Sequence, residues 1–172
     1  PVGGPVIPGV CLFSEAAAVA NSEVGKAVNT RMEQLGAAVQ AELRPERTAI
    51  ETEENALRTA RPTTQEEQNA LQTRALALRQ RADNFERLGA TRVRELQLTQ
   101  ERQLTRIAQE LEPAIRAVYA QKNCGLMYDR NAAYLFNPEM DVTDEVITAL
   151  NGRIRTLTFD RERLPAQNAQ QG

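Results

Sequence analysis

Histidine and tryptophan are both absent from this chain of 172 residues, and its only aromatic residues are three Tyr and four Phe. Without histidine the chain lacks the commonest general base and the commonest metal ligand, which excludes Ser-His-Asp and Cys-His catalysis and histidine-containing zinc sites. Its two cysteines are too few for a four-cysteine metal site. The sequence contains neither a Walker-type phosphate loop nor a GxGxxG motif. We therefore expect no enzyme activity, no metal and no cofactor.

The charge balance and the apolar content exclude further classes of protein. The chain has 21 basic and 23 acidic residues, whereas a nucleic-acid-binding domain shows a basic excess or stripe. No apolar run approaches the roughly 20 residues that a membrane-spanning helix needs. The apolar fraction is 41%, but much of it is alanine, so we expect an elongated shape, an oligomer, or both. The chain begins with Pro1 rather than Met, from which we expect that a leader has been removed.

A narrow apolar stripe with steps of three, four and seven residues predicts two long helices. The first begins near Ser22 and is expected to kink at Pro45, which removes one backbone hydrogen bond. Thr64 and Glu67 have the spacing of a capping box. We therefore predict a helical hairpin arm whose tip lies near residues 61–64.

The two ends of the chain predict a small β-containing body. Three short strands are expected at Val6–Phe13, Leu126–Arg130 and Ala133–Phe136, with a turn at Asn131 and Ala132. A body of this size buries little core alone, so it should associate with copies of itself. The predicted fold is mostly α with a small β body and a long antiparallel helical-hairpin arm. The predicted domains are a discontinuous body (6–22 and 113–160), an arm (23–112) and flexible ends (1–5 and 161–172).

Several short motifs occur in a fixed order along residues 6–151. They are an apolar strand, Ser22-Glu-Val-Gly25-Lys26, Arg106-Ile107, Ala117-Val-Tyr119, Gly125-Leu-Met-Tyr-Asp129, Ala133-Tyr-Leu135 and Asp141-Val-Thr-Asp-Glu-Val-Ile-Thr-Ala-Leu-Asn151. The closing Asp-x-Thr-x-x-Val stretch is the most distinctive. In this order the motifs resemble the Skp/OmpH family of periplasmic chaperones.

The resemblance implies a homotrimer with a β-barrel-like body and three helical tentacles around a cavity. Such a protein is an ATP-independent holdase, which encloses unfolded outer-membrane β-barrel proteins in the periplasm and prevents their aggregation. It would act as the mature chain after signal-peptide removal. The best-known member is strongly basic, whereas residues 44–82 here carry nearly equal numbers of Arg and Glu. We therefore transfer no lipopolysaccharide site and leave peripheral lipid contact open. The alternative function is a structural coiled-coil adaptor that binds one folded partner.

The apolar positions of the arm have two interpretations. As client-binding residues, some of them would line the cavity and touch unfolded chains. Alternatively, most of them form the seam that holds the hairpin together. The positions are Met32, Leu35, Val39, Leu43, Ile50, Leu57, Leu71, Leu78 and Phe85.

Apolar residues of the predicted body strands are candidates for the trimer interface, with a core inside one chain as the rival interpretation. They are Val10, Leu12, Leu126, Tyr128, Tyr134 and Leu135. Cys11 and Cys124 lie in or beside these strands. In a periplasmic chain they could form a disulfide, and otherwise they would be two separate buried thiols.

Overall fold

The computed structural model describes residues 3–165 and is mostly helical with a small sheet, as predicted. Its elements in chain order are β1 (Val10–Phe13), α1 (Glu15–Asn21), α2 (Glu23–Thr59), α3 (Gln65–Gln121), β2 (Leu126–Asp129) and α4 (Thr143–Arg153). Two single-turn 3-10 helices, Arg130–Ala132 and Pro138–Met140, follow β2. The predicted flexibility of residues 1, 2 and 166–172 lies outside the described residues.

These elements form two compact units. We call the first the body unit: it contains the residues up to Met32 together with Gln100–Asp160. We call the second the arm unit: it contains Glu33–Thr99 together with the segment that begins at Arg161. The long helices α2 and α3 each contribute residues to both units.

The body unit has a core built from helices and one face of a parallel two-stranded sheet. Strand β1 pairs with β2 from Val10 opposite Leu126 to Phe13 opposite Asp129. The largest fully buried apolar side chains of this unit are Ile107, Leu111, Leu150, Val24, Val118 and Val146. Because these residues come from α2, α3 and α4, helix packing supplies most of the body core.

The predicted strands and the barrel-like body need correction. The first strand begins at Val10 rather than Val6, because Pro8 has no N–H to donate and Gly9 has a positive φ of 79° that turns the chain. The predicted strand Ala133–Phe136 is wrong, since these residues form no strand. Among the described residues the sheet has two strands and is not closed, so a barrel-like body is not supported.

The predicted turn at residues 131 and 132 lies in a 3-10 helix and does not connect two strands. Instead, the Asp129 carboxylate accepts a hydrogen bond from the Asn131 N–H at 2.9 Å and begins the 3-10 turn there. Residues 133–136 pair with no strand, despite their β-forming side chains, whereas Asp141 further along the chain forms a parallel bridge with Leu12 of β1.

The junction between α1 and α2 explains the motif Ser22-Glu-Val-Gly25. The Ser22 hydroxyl donates to the Val19 carbonyl at 2.8 Å and accepts from the Gly25 N–H at 3.1 Å, so one side chain ends α1 and caps α2. A Cβ atom at Gly25 would lie 1.7 Å from the Val19 carbonyl oxygen. Only glycine allows the two helices to meet this closely.

Local hydrogen bonds also define the end of the arm unit, where residues 60–64 are not helical. The Thr64 hydroxyl accepts from the Glu67 N–H at 3.1 Å, as the capping-box spacing predicts. The Glu67 carboxylate accepts a hydrogen bond from the Thr63 N–H at 2.7 Å, one residue before the Thr64 N–H that a capping box uses. Helix α2 continues through Pro45 as one helix from Glu23 to Thr59.

A disulfide joins Cys11 of β1 to Cys124, which follows α3. The two Sγ atoms are 1.96 Å apart and the two Cα atoms are 5.8 Å apart, within the usual Cα range for a disulfide. Both residues are buried in the body unit. The bond therefore holds the first strand against the end of the long return helix.

Candidate functional site

The nine apolar positions singled out on the arm are all at least half-buried. Leu35, Val39, Leu43 and Ile50 are buried, and the other five are intermediate. The five are Met32, Leu57, Leu71, Leu78 and Phe85. Met32 packs against the body core, and the guanidinium carbon of Arg47 lies 5.9 Å from the centre of the Phe85 ring, a cation–π distance.

Other apolar side chains of the arm unit face water. Leu76 is 68% exposed and Val93 is 53% exposed, and Leu88 is also exposed. All three belong to α3. They are separated along the helix rather than gathered in one patch, so each offers a small apolar contact to another molecule.

Three ion pairs join α2 to α3 within the arm unit. They pair Arg74 with Glu53, Arg81 with Glu46, and Arg92 with Glu42. Each arginine forms two or more hydrogen bonds to its glutamate, the fork geometry that a guanidinium favours. The seven-residue spacing of both Glu46–Glu53 and Arg74–Arg81 is the signal that could have indicated these cross-helix pairs.

These pairs hold the glutamates in their charged form. The hydrogen bond from Arg81 lowers the pKa of Glu46, and the hydrogen bond from Arg74 does the same to the pKa of Glu53. The Arg92 hydrogen bond lowers the pKa of Glu42. Because these side chains are in contact with water, each pair adds little to stability alone, but together they fix the antiparallel register of the two helices.

A buried polar cluster in the arm unit was missed by the sequence reasoning. Glu95 is 1% exposed and Thr99 is completely buried. The Glu95 carboxylate lies 3.2 Å from Arg92 Nη1 and 2.8 Å from Arg161 Nε. The contact to Arg161 is an ion pair without the alignment of a hydrogen bond. A buried carboxylate needs partners of this kind, because leaving it unpaired is costly.

Residues 161–164, which the sequence places in a flexible end, complete this cluster. The Leu164 N–H donates to Glu95 Oε1 at 3.1 Å, and the Glu162 N–H donates to Thr99 Oγ1 at 2.8 Å. The Thr99 hydroxyl in turn donates to the Glu95 carbonyl at 2.6 Å. The side chains of α3 therefore bind the backbone of a segment that lies more than 60 residues further along the chain.

The six candidate interface residues of the body differ widely in exposure. Leu12 is buried and Val10 is half-buried. The other four are exposed: Leu126, Tyr128, Tyr134 at 103% and Leu135 at 80%. Strand register places Val10 beside Leu126 and Leu12 beside Tyr128. Leu126 and Tyr128 therefore present uncovered apolar side chains on one face of β2, whereas Leu12 beside them in β1 is covered by this chain.

The described part of the chain contains no cluster of three or more His, Cys, Asp or Glu side chains that could hold a metal ion. No helix within residues 3–165 is long and apolar enough to cross a membrane.

Comparison with known proteins identifies the family. A family model described as outer membrane protein (OmpH-like) matches residues 9–150. The crystal structure of a candidate outer membrane chaperone (OmpH-like) from Caulobacter crescentus CB15 is 44% identical, with a TM-score of 0.84, and the match covers 97% of this chain and 98% of that chain. None of the curated proteins compared with the chain matches it. The chain therefore belongs to the OmpH-like family.

Proposed function

We propose that this chain is an ATP-independent holdase of the periplasm, which encloses unfolded outer-membrane β-barrel proteins between helical arms and prevents their aggregation. Membership of the OmpH-like family and the similarity to a candidate outer membrane chaperone support a chaperone role. The buried disulfide supports an oxidising compartment such as the periplasm.

The observation that carries the proposal is the exposure of Leu76, Leu88 and Val93 on α3. Separate apolar side chains of this kind make weak contacts to any unfolded chain. Three arms acting on one client would add such contacts together through a high effective concentration. The half-buried positions nearer the tip, Leu57 and Leu71 among them, would add to the same surface when an arm bends.

A trimer would supply the enclosing arms. The uncovered sheet face with Leu126 and Tyr128, and the exposed pair Tyr134 and Leu135, support association of the body with copies of itself. In this proposal the half-buried Val10 contributes to the same interface from β1, whereas the buried Leu12 belongs to the core of its own chain. The surface is apolar and small per chain, which fits a closed assembly better than a monomer.

The test is suppression of aggregation by the full chain without ATP. Several unrelated outer-membrane β-barrel proteins, unfolded in urea, are diluted into buffer and followed by light scattering. We expect suppression of all of them, and a clear loss of suppression for Leu76→Ser/Leu88→Ser/Val93→Ser. The matched control is Val6→Ser/Ile7→Ser, which removes exposed apolar side chains outside the arm and should behave like wild type.

The second candidate function is a structural coiled-coil adaptor that binds one folded partner. The half-burial or burial of all nine singled-out arm positions favours it, since those side chains are then used in pairing the two helices. The same assay separates the two functions. An adaptor would leave the aggregation of unrelated unfolded proteins unchanged.

A further inference from the structure

Four features of the Glu95–Thr99 cluster show that α3 holds a peptide backbone. Two acceptors, a carboxylate and a hydroxyl, are at least nine-tenths buried. They accept hydrogen bonds from the N–H groups of Leu164 and Glu162. Residues 161–164 form neither helix nor strand. The side chain between the two bonded residues, Arg163, is exposed, whereas its neighbours are half-buried.

The spacing of the two acceptors matches the repeat of an extended chain. Glu95 and Thr99 are four residues apart on a helix, which separates them by about 6 Å along its axis. Alternate N–H groups of an extended chain are about 6.6 Å apart and point to the same side. The N–H groups of Glu162 and Leu164 therefore reach acceptors on two consecutive turns of α3. Because the later residue of the segment bonds to the earlier residue of the helix, the segment runs antiparallel to α3.

Part of the contact between this segment and α3 is made by the main chain of residues 162 and 164. The hydrogen bonds to Glu162 and Leu164 are made by main-chain atoms, which every residue except proline provides. The ion pair between Arg161 and Glu95 adds a preference for a cationic residue. A site of this kind accepts extended segments of many sequences, which is the property that binding of unfolded chains requires.

The pairing of two helices does not by itself require this cluster. Glu95 and Thr99 continue, in steps of four, the row of α3 that includes the buried Ile107 and Leu111. Apolar side chains at these positions would stabilise the packing of two helices at least as well, because the desolvation cost of a buried ion pair offsets much of its attraction. The polar groups are explained by the backbone that they bind.

We propose that Glu95 and Thr99 form a docking site for an extended polypeptide backbone, which the chain's own residues 161–164 occupy at rest and which unfolded client segments take over. The identity of the competing chain rests on the proposed holdase function. The tethered segment competes at an effective concentration of about millimolar. It therefore keeps the buried carboxylate paired when no client is present and displaces weakly bound clients.

Proline substitutions test the site without altering the helices. The full-length variant Glu162→Pro/Leu164→Pro removes both donated N–H groups. The matched control Glu162→Ala/Leu164→Ala shortens the same side chains and keeps both N–H groups. The probe is a fluorescein-labelled synthetic peptide with the sequence of residues 160–166, and its binding is followed by fluorescence anisotropy.

We expect the proline variant to bind the peptide at least tenfold more tightly than wild type, because its site is open. The alanine control should match wild type. Adding Thr99→Val to the proline variant, an isosteric change that removes the hydroxyl acceptor, should weaken peptide binding about fivefold, the usual effect of one hydrogen bond. Equal peptide binding by the proline and alanine variants would overturn the docking site.

Client competition tests the second half of the proposal. A urea-unfolded outer-membrane β-barrel protein should displace the peptide from the proline variant. If wild type suppresses aggregation but its clients leave the peptide bound, the client role of this site is wrong and the holdase function stands. If wild type holds no client at all, the proposed function and the client role both fail, while the peptide titration still decides the docking site.

Discussion

Removing the Cys11–Cys124 disulfide should destabilise the body unit strongly. The bond closes a loop across a sequence separation of 113 residues. In the chain-entropy model, a loop of this length restricts the unfolded chain by about 5 kcal/mol at 25 °C. The loop contains the whole of α2 and α3, so without the bond the unfolded chain regains nearly all of its freedom.

The assay is urea unfolding followed by circular dichroism at one fixed protein concentration, because association also affects apparent stability. Three samples are compared: oxidised wild type, reduced wild type, and Cys11→Ala/Cys124→Ala. The reduced wild type keeps both sulfur atoms and isolates the effect of the cross-link. We expect it to lose about 4–5 kcal/mol of unfolding free energy relative to the oxidised chain. A loss below about 1 kcal/mol, less than a typical disulfide contributes, would show that the cross-link does not stabilise the body unit through loop closure.

Three further predictions concern other parts of the chain. Gly25→Ala should lower the thermal midpoint markedly, whereas Gly36→Ala, whose Cβ would meet no atom within 4 Å, should not; equal midpoints would contradict the close approach of α1 and α2. Leu126→Asp should give monomeric or unfolded protein by light scattering, and a stable native trimer would contradict the interface. Acidification through pH 4.5 and below should weaken the arm, because the hydrogen bonds and ion pairs with arginine lower the pKa values of Glu46 and Glu53 in the folded chain. The stability that these two ion pairs add is therefore present above the unfolded-state pKa. It is lost as the pH falls through the lower folded-state values. Helicity measured against pH should show this loss, and Glu46→Gln/Glu53→Gln should reduce it.

The helices could be predicted because their signals are local. The apolar stripe of α2 and α3 repeats within each turn or two, and the Thr64–Glu67 cap spans only four residues. Ser14 caps α1 in the same local way, since its hydroxyl accepts from the Ala17 N–H at 3.2 Å. Information of this range is fully contained in a short window of sequence.

The strands could be predicted only in part, because a strand needs a partner. Tyr134 and Leu135 have β-forming side chains, but no neighbouring strand reaches them and both are exposed in this chain. The pairing of β1 with β2 joins residues more than 110 positions apart. Nothing in either segment alone indicates that the two are parallel.

The Glu95–Thr99 cluster could not be predicted from the sequence for a related reason. Glu95 resembles any other surface glutamate of an Arg- and Glu-rich helix, and residues 161–164 resemble a solvated tail. In the sequence, the signal that Glu95 and Thr99 face inward is a repeat of four residues, which continues through Gln103 to the apolar Ile107 and Leu111. The polar partner that makes such burial tolerable comes from a distant segment.

In the proposed function, several copies of this chain together hold one unfolded client. The most direct test is absolute mass by light scattering on a sizing column, before and after mixing with a urea-unfolded outer-membrane β-barrel protein. Three chains of 19.1 kDa amount to about 57 kDa. We predict this mass for the chain without client, and this mass plus that of one client after mixing. A 19.1 kDa species that forms no complex with the client would contradict the account.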